Sequence, residues 1–364
     1  MTQRLRLSLA AWRRLSRKHD PAKGALPWKA RLSYTSSGLT QSALMRIQDA
    51  SHAEALKTAT PYPPIFLLGF WRSGTTFLHE LLCCDPRFGF PSTYACLNPA
   101  QFLATEKLIQ KQGLQQARRP MDDVRYSWGS PQEDEFALLC MDAPSPYEAL
   151  ILPSLMQNPR GLVDFSQFSI ADQERWGEAL QHFLRLLTVQ QNKPMVLKSP
   201  PHGFRLSTLI SLFPEARYIL IERNPYEVFA SNVKLWHTLT DLYGLEPAGT
   251  QEIDDFVLKA YVLHEQAIVA GRKLAKPHSF TRVRYEDLLV DPIGQMERLY
   301  TDLNLGEFAE VRPQLEKYLA GVAGHKRNRF QISPVQKQRI DEVWGPFISD
   351  KRYNWTENYI SLVG

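Results

Sequence analysis

Cysteine is scarce in this chain: 364 residues hold four, at Cys83, Cys84, Cys96 and Cys140. Two are adjacent and no pair has CxxC spacing, which argues against a zinc site and against a secreted disulfide framework. Reduced thiols in a cytoplasmic protein are the simplest expectation. Long apolar runs are missing as well. No window approaches the roughly eighteen uncharged apolar residues that a bilayer-crossing helix needs, and the N-terminus lacks the apolar core of a secretory signal. There is no internal repeat and no low-complexity tract. Hydrophobic residues make up 44% and charged residues 22%, an ordinary globular balance that excludes general disorder and a coiled coil.

Positive charge is unevenly spread. Residues 1–31 hold nine Lys or Arg against one acid, Asp20, whereas the chain as a whole carries +5. The remainder is therefore slightly negative, which argues against a broad basic surface for nucleic acid. Any anion must be met by local groups. Leu5, Leu9 and Trp12 recur at helical spacing among the arginines, so residues 1–18 are a candidate for peripheral contact with a membrane or an acidic partner. The plainer reading is a solvated basic arm. The expected organisation is a basic, partly helical segment over 1–60 and an α/β domain over 61–364.

Beyond the Pro61–Pro64 punctuation, apolar strands alternate with helical patterns. Residues 65–70 read as a strand and 75–82 as a helix. Residues 195–197 read as a strand, and Ser199-Pro200-Pro201 as the start of a helix. Residues 217–222 form the clearest strand. They are followed by Asn224-Pro225-Tyr226-Glu227, which has the pattern of a capping box. A fourth strand is expected near 281–285. This alternation predicts an α/β fold: a P-loop-like parallel sheet flanked by helices on both faces, in a single domain with helical insertions. Ligands of such sheets bind at the carboxyl ends of the strands.

Two segments at those ends have the residues of an anion site. Gly69-Phe70-Trp71-Arg72-Ser73-Gly74-Thr75-Thr76 joins two glycines and three hydroxyls to a helix start, where backbone N–H groups converge. It approaches a Walker A loop, but Thr75 stands where that motif has Lys, and the cation is inside the loop at Arg72. That arrangement suits a ligand with a single 5′-phosphate bearing a short transferable group. Farther on, Arg223 ends a strand and Ser231 follows eight residues later, able to grip a second phosphate. An ordinary strand-to-helix turn and a solvent-facing Arg are the structural alternatives.

These two segments resemble the cofactor-binding signatures of sulfotransferases. Lys198-Ser199-Pro200-Pro201-His202 and Arg284-Tyr285-Glu286-Asp287 fall where such enzymes carry matching segments. Pro131-Gln132-Glu133-Asp134-Glu135-Phe136-Ala137-Leu138 looks like a segment of the bacterial and carbohydrate-type branches. The resemblance implies 3′-phosphoadenosine 5′-phosphosulfate as donor, with no metal required. It implies that Arg72, Ser73, Gly74, Thr75 and Thr76 hold the 5′-phosphosulfate, that Arg223 and Ser231 hold the 3′-phosphate, and that Tyr285 contacts the adenine. It also implies a late basic loop (324–330) in which Lys326 or Arg327 closes over the 3′-phosphate. The cytosolic small-molecule branch has Lys in place of Arg72 and a catalytic His in place of Pro200.

Sulfuryl transfer asks mainly for positioning and for cations where leaving-group charge gathers. Arg72 and Lys198 suit that role. The base that activates the acceptor hydroxyl is left between His202, whose side chain titrates in the useful range, and Glu133. Each also has a structural alternative, His202 as a packing residue and Glu133 as part of a capping box with Ser130. The acceptor is expected to be a small-molecule, lipid or sugar-like alcohol, its pocket lined from residues 91–102, 142–155 and 236–245. A P-loop kinase, or a non-catalytic nucleotide-binding protein at a membrane, would use the same architecture.

Overall fold

The computed structural model describes residues 4–20, 24–111, 117–118, 125–322, 330–351, 353 and 360–362. The chain divides into two compact units: residues 1–62, 90–195 and 235–256 form the first, and 63–89, 196–234 and 257–364 the second.

The second unit contains the parallel sheet. Its strands are β1 (Ile65–Leu68), β2 (Val196–Lys198), β3 (Arg217–Glu222) and β4 (Phe280–Arg284). The order across the sheet is β2-β1-β3-β4 and every pairing is parallel. Alternation along each strand makes two apolar faces, as expected where helices cover both sides. On one face Ile65, Leu67, Val196, Ile219, Ile221 and Val283 pack against Leu78, Leu81 and Leu82 of the helix Thr75–Leu82 and against Leu299 and Leu303 of the helix Pro292–Leu303. On the other face Phe66 stacks on Tyr218 and meets His202 and Phe213.

The helix expected from Pro200 begins differently. Residues Pro200–Arg205 form a 3-10 turn and the α-helix starts only at Leu206. The turn is closed by the His202 N–H donating to the Ser199 carbonyl at 2.9 Å, a bond of the tighter 3-10 type. The helix Pro225–Tyr243 starts where expected, and the Asn224 side chain accepts from the Tyr226 N–H at 3.0 Å. A helix missing from the sequence reading, Pro334–Asp350, has Ile340, Val343, Trp344, Phe347 and Ile348 at helical spacing and is closed at its start by a full capping box between Ser333 and Gln336.

In the first unit the basic N-terminal segment is an integral part of the packing. The helix Leu9–Ser16 lies against the long helix Trp28–Ser51, with Trp12 stacked on Tyr34 at 4.7 Å. Backbones come close at Gly38, where a Cβ would sit 3.0 Å from Leu9 Cα. Leu5, Leu7, Ala11, Trp12 and Leu15 are buried and Leu9 is half-buried, so most of the apolar side of the segment is covered. The acidic partner of this segment is internal. Arg14 donates to Asp142 at 2.8 Å and to the Ala143 carbonyl at 2.9 Å, and it pairs with Glu148, which is fully buried and also holds Lys18 at 2.6 Å. All four cysteines are thiols; burial is the main force raising Cys83, Cys84 (to about 11) and Cys140 (to about 12).

Removing one member of a buried ion pair leaves the other uncompensated. Arg14→Met is expected to lower stability by about 3 kcal/mol in urea unfolding. Adding Glu148→Gln should recover a measurable part of that loss, whereas strictly additive effects would show that the pair does not matter.

Candidate active site

The carboxyl ends of β1, β3 and β4 meet at the loop 69–74. Gly69 leaves β1 in a gap that no side chain would fit: a Cβ there would lie 2.6 Å from Ser73 Oγ and 2.8 Å from the Ile221 carbonyl oxygen. Ser73 closes the turn, its N–H donating to the Phe70 carbonyl at 3.2 Å and its hydroxyl to the same oxygen at 2.7 Å. Arg72 adopts φ +67° and Gly74 φ +99°, both left-handed. For a non-glycine this conformation costs on the order of 1–3 kcal/mol and persists only where the surroundings fix it. Here they do. Arg223 Nη1 donates to the Arg72 carbonyl at 3.0 Å, and Asn232 Nδ2 donates to the Trp71 carbonyl at 2.7 Å.

The side chains converge on the same place. Arg72 Nε donates to Ser231 Oγ at 2.8 Å. Arg223 is held by Glu227, with Nε donating to Oε2 at 3.1 Å, and its guanidinium lies 4.7 Å from the centroid of the Tyr285 ring. Tyr285 in turn occupies the space beside Gly74, where a Cβ would come within 2.3 Å of the ring. Thus Arg72, Gly74, Arg223, Ser231 and Tyr285 form one cluster, with Ser73 and Thr75 buried next to it and Thr76 half-buried in the first turn of the following helix.

The Glu227 carboxylate accepts from Arg223, and the Asn224 N–H donates to Glu286 Oε1 at 2.8 Å. A second layer secures these groups from behind. Tyr353 donates to Glu286 Oε2 at 3.2 Å, and Arg284 lies 4.5 Å from the Tyr353 ring centroid. Lys351 bridges Glu222, at 2.9 Å, and Glu265. Burial opposes the charge on Glu265, but the hydrogen bond from His264 and the Lys351 charge outweigh it and bring its carboxyl down to about 2. His264 packs edge-on against Phe70 and fills the space in front of Gly203. Asn232, Lys351 and Tyr353 were not singled out from sequence, and Glu227 and Glu286 were named only for a capping box and for a matching segment; each is an acid close in sequence to an Arg, which is the signal that could have marked it.

Lys198 ends β2 opposite Leu67 and is fully buried. His202 is fully buried in the 3-10 turn, its ring edge-on to Phe66 at 5.2 Å. His79 is buried with Nε2 3.3 Å from the Val196 carbonyl oxygen, a structural position. Glu133 belongs to the first unit, where it accepts a hydrogen bond from the Tyr147 hydroxyl. The expected capping box at Ser130–Glu133 is not formed. Ser130 Oγ accepts from the Ser127 N–H instead, and the helix begins at Glu135. Lys326 and Arg327 lie outside the described residues.

With guanidiniums, hydroxyls and a helix start assembled at strand ends, the site is built to hold anionic groups and to absorb charge that develops on them. Comparison with known proteins defines the class. A sulfotransferase family model matches residues 63–310. Two mycobacterial proteins named omega-hydroxy-beta-dihydromenaquinone-9 sulfotransferase Stf3, from Mycobacterium bovis and Mycobacterium tuberculosis, are each 36% identical over 349 residues, covering 95% of this chain and 90% of theirs. The crystal structure of sulfotransferase STF9 from Mycobacterium avium has the same fold, with a TM-score of 0.65, 20% identity and coverage of 85% of this chain and 82% of that one. That of sulfotransferase STF1 from Mycobacterium tuberculosis gives a TM-score of 0.58 at 20% identity, with 76% of each chain covered. The chain belongs to the sulfotransferase family. It is a transferase enzyme that moves a sulfuryl group.

The fit between Gly74 and Tyr285 is testable. Gly74→Ala combines left-handed strain with a clash against the ring, and it is expected to reduce sulfuryl transfer by roughly tenfold or more. An unchanged turnover number would show that this close approach does not position the loop.

Proposed function

We propose that the enzyme transfers the sulfuryl group of 3′-phosphoadenosine 5′-phosphosulfate to a hydroxyl of a lipid-like acceptor of the hydroxylated menaquinone type. The observation that carries the donor reading is the cluster in which Arg72 bonds Ser231 while Arg223 holds the Arg72 carbonyl. Two guanidiniums, a hydroxyl and a left-handed loop suit a nucleotide with an anionic group at each end. The acceptor class is supported by the 36% identity to enzymes named for a hydroxylated menaquinone.

When bound, the donor supplies a sulfuryl group, which passes to the acceptor oxygen as adenosine 3′,5′-bisphosphate departs. The residues have separate tasks in this reading. The loop N–H groups near Gly74 and the hydroxyls of Ser73, Thr75 and Thr76 hold the 5′ end. Arg72 offsets the charge that gathers there. Arg223 and Ser231 hold the 3′-phosphate, a task that Lys326 or Arg327 would share, and Tyr285 contacts the adenine. Glu227 keeps the Arg223 fork oriented. Lys198, at the end of β2, adds positive potential. His202 and Glu133 are the candidates for taking the acceptor proton. Action in the cytoplasm or at its membrane face accords with such an acceptor.

Incubation with the donor and a hydroxylated menaquinone should add the mass of one sulfate to the quinone. Arg223→Ala should weaken binding of adenosine 3′,5′-bisphosphate by about tenfold or more in calorimetry, consistent with loss of a charge-assisted bond. Wild-type protein that binds no adenosine bisphosphate would end the donor reading. Nucleotide binding with no quinone sulfation would end the acceptor reading alone.

A further inference from the structure

The helix Trp28–Ser51 is 24 residues long and has one buried and one bare side. Ala30, Tyr34, Gly38, Gln41 and Gln48 face inward, fixed by the Trp12–Tyr34 stack and by a bond of 2.9 Å from Gln48 to the Pro99 carbonyl. On the opposite side Trp28 is 69% exposed, Leu32 63%, Leu39 56% and Ile47 59%. With the ordinary helical turn these four, together with the exposed Ala43, fall within an arc of about 100°. Scattered apolar residues on a surface mean little, but a stripe along one helix marks an interaction site.

The charges around the stripe indicate the partner. Lys29 and Arg31 lie on its two flanks and Arg46 within it, all exposed. The one acid on the helix, Asp49, pairs with His182 at 3.1 Å. Close by, Arg13 and Arg31 line a cavity of about 510 Å³ walled by Leu9, Trp12 and Leu26. A tryptophan at one end, aliphatic side chains along the middle and long cations that can extend past them are the composition of a helix lying in a lipid interface. No helix among the described residues is long and apolar enough to cross a membrane.

We propose that the enzyme docks on an anionic lipid bilayer through the Trp28, Leu32, Leu39 and Ile47 face of this helix, with Lys29, Arg31 and Arg46 meeting lipid phosphates. The inference goes beyond the acceptor reading and rests on the helix face by itself. It also moves membrane contact from residues 1–18, where Leu5 and Trp12 are buried and Leu9 half-buried, to residues 28–47.

The test is flotation of the full-length protein with phosphatidylcholine vesicles, with and without phosphatidylglycerol, and without any quinone, so that its outcome is independent of turnover. Binding is expected only with the anionic lipid and should weaken as salt is raised. Leu32→Glu combined with Leu39→Glu should lower the bound fraction about tenfold or more at an unchanged thermal midpoint. Lys29→Gln combined with Arg46→Gln should lower it less and flatten the salt dependence. Absence of wild-type binding, or equal binding by the Leu32→Glu, Leu39→Glu variant, overturns the proposal. So does a concentration-dependent dimer that this variant abolishes while vesicles bind neither protein, since the face would then belong to a second copy.

Discussion

The Arg223 guanidinium ties the site together. One side chain donates to the carbonyl of a left-handed Arg72, is gripped by Glu227 and lies over the Tyr285 ring. It thereby joins the ends of β1, β3 and β4, three elements far apart in sequence. A lysine could supply the charge but not the planar fork that makes these contacts together. The loop conformation depends on this residue because Arg72 pays for its backbone geometry only while its carbonyl is held.

Some of this arrangement was legible in the sequence. Strand β3 is a run of six residues with strong β-formers, and its boundaries follow directly from Arg217 and Glu222. The loop is recognisable because glycine, hydroxyl and Arg coincide where a strand gives way to a helix. Local signals failed where two uses of the same side chain competed. Glu227 fits a capping box by spacing, yet its carboxylate accepts from an adjacent guanidinium, and Glu286 accepts from the Asn224 N–H. Ser130 has the spacing to cap a helix, but Ser127 occupies its oxygen and the helix starts later. Conversely, Ser333 and Gln336 form a real capping box whose helix was overlooked although Ile340, Val343, Trp344, Phe347 and Ile348 recur at helical spacing. The contacts of Lys351 with Glu222 and Glu265 join residues too distant in sequence for any periodicity to connect.

Charge shows the same division between local and distant effects. The N-terminal arginines read as a solvated or membrane-facing cluster, since nothing nearby neutralises them. Folding brings Asp142 and Glu148 to Arg14 and buries the apolar side of the segment, while Arg4, Arg6, Arg13 and Arg17 stay exposed. The apolar surface left over belongs to the next helix, whose low amphipathic contrast arises because both of its sides carry apolar groups. A helix of that kind looks unremarkable in sequence until one side is seen to be covered.

Lys351 has a consequence for how the protein is made. Synthesis proceeds from the N-terminus, so Glu222 and Glu265 are in place before their shared counter-ion has been added to the growing polypeptide. Until then two neighbouring carboxylates, one ending β3 and one on the helix Thr250–Arg272, lack their common cation, so the packing behind the loop 69–74 can be completed only after residue 351 has been made.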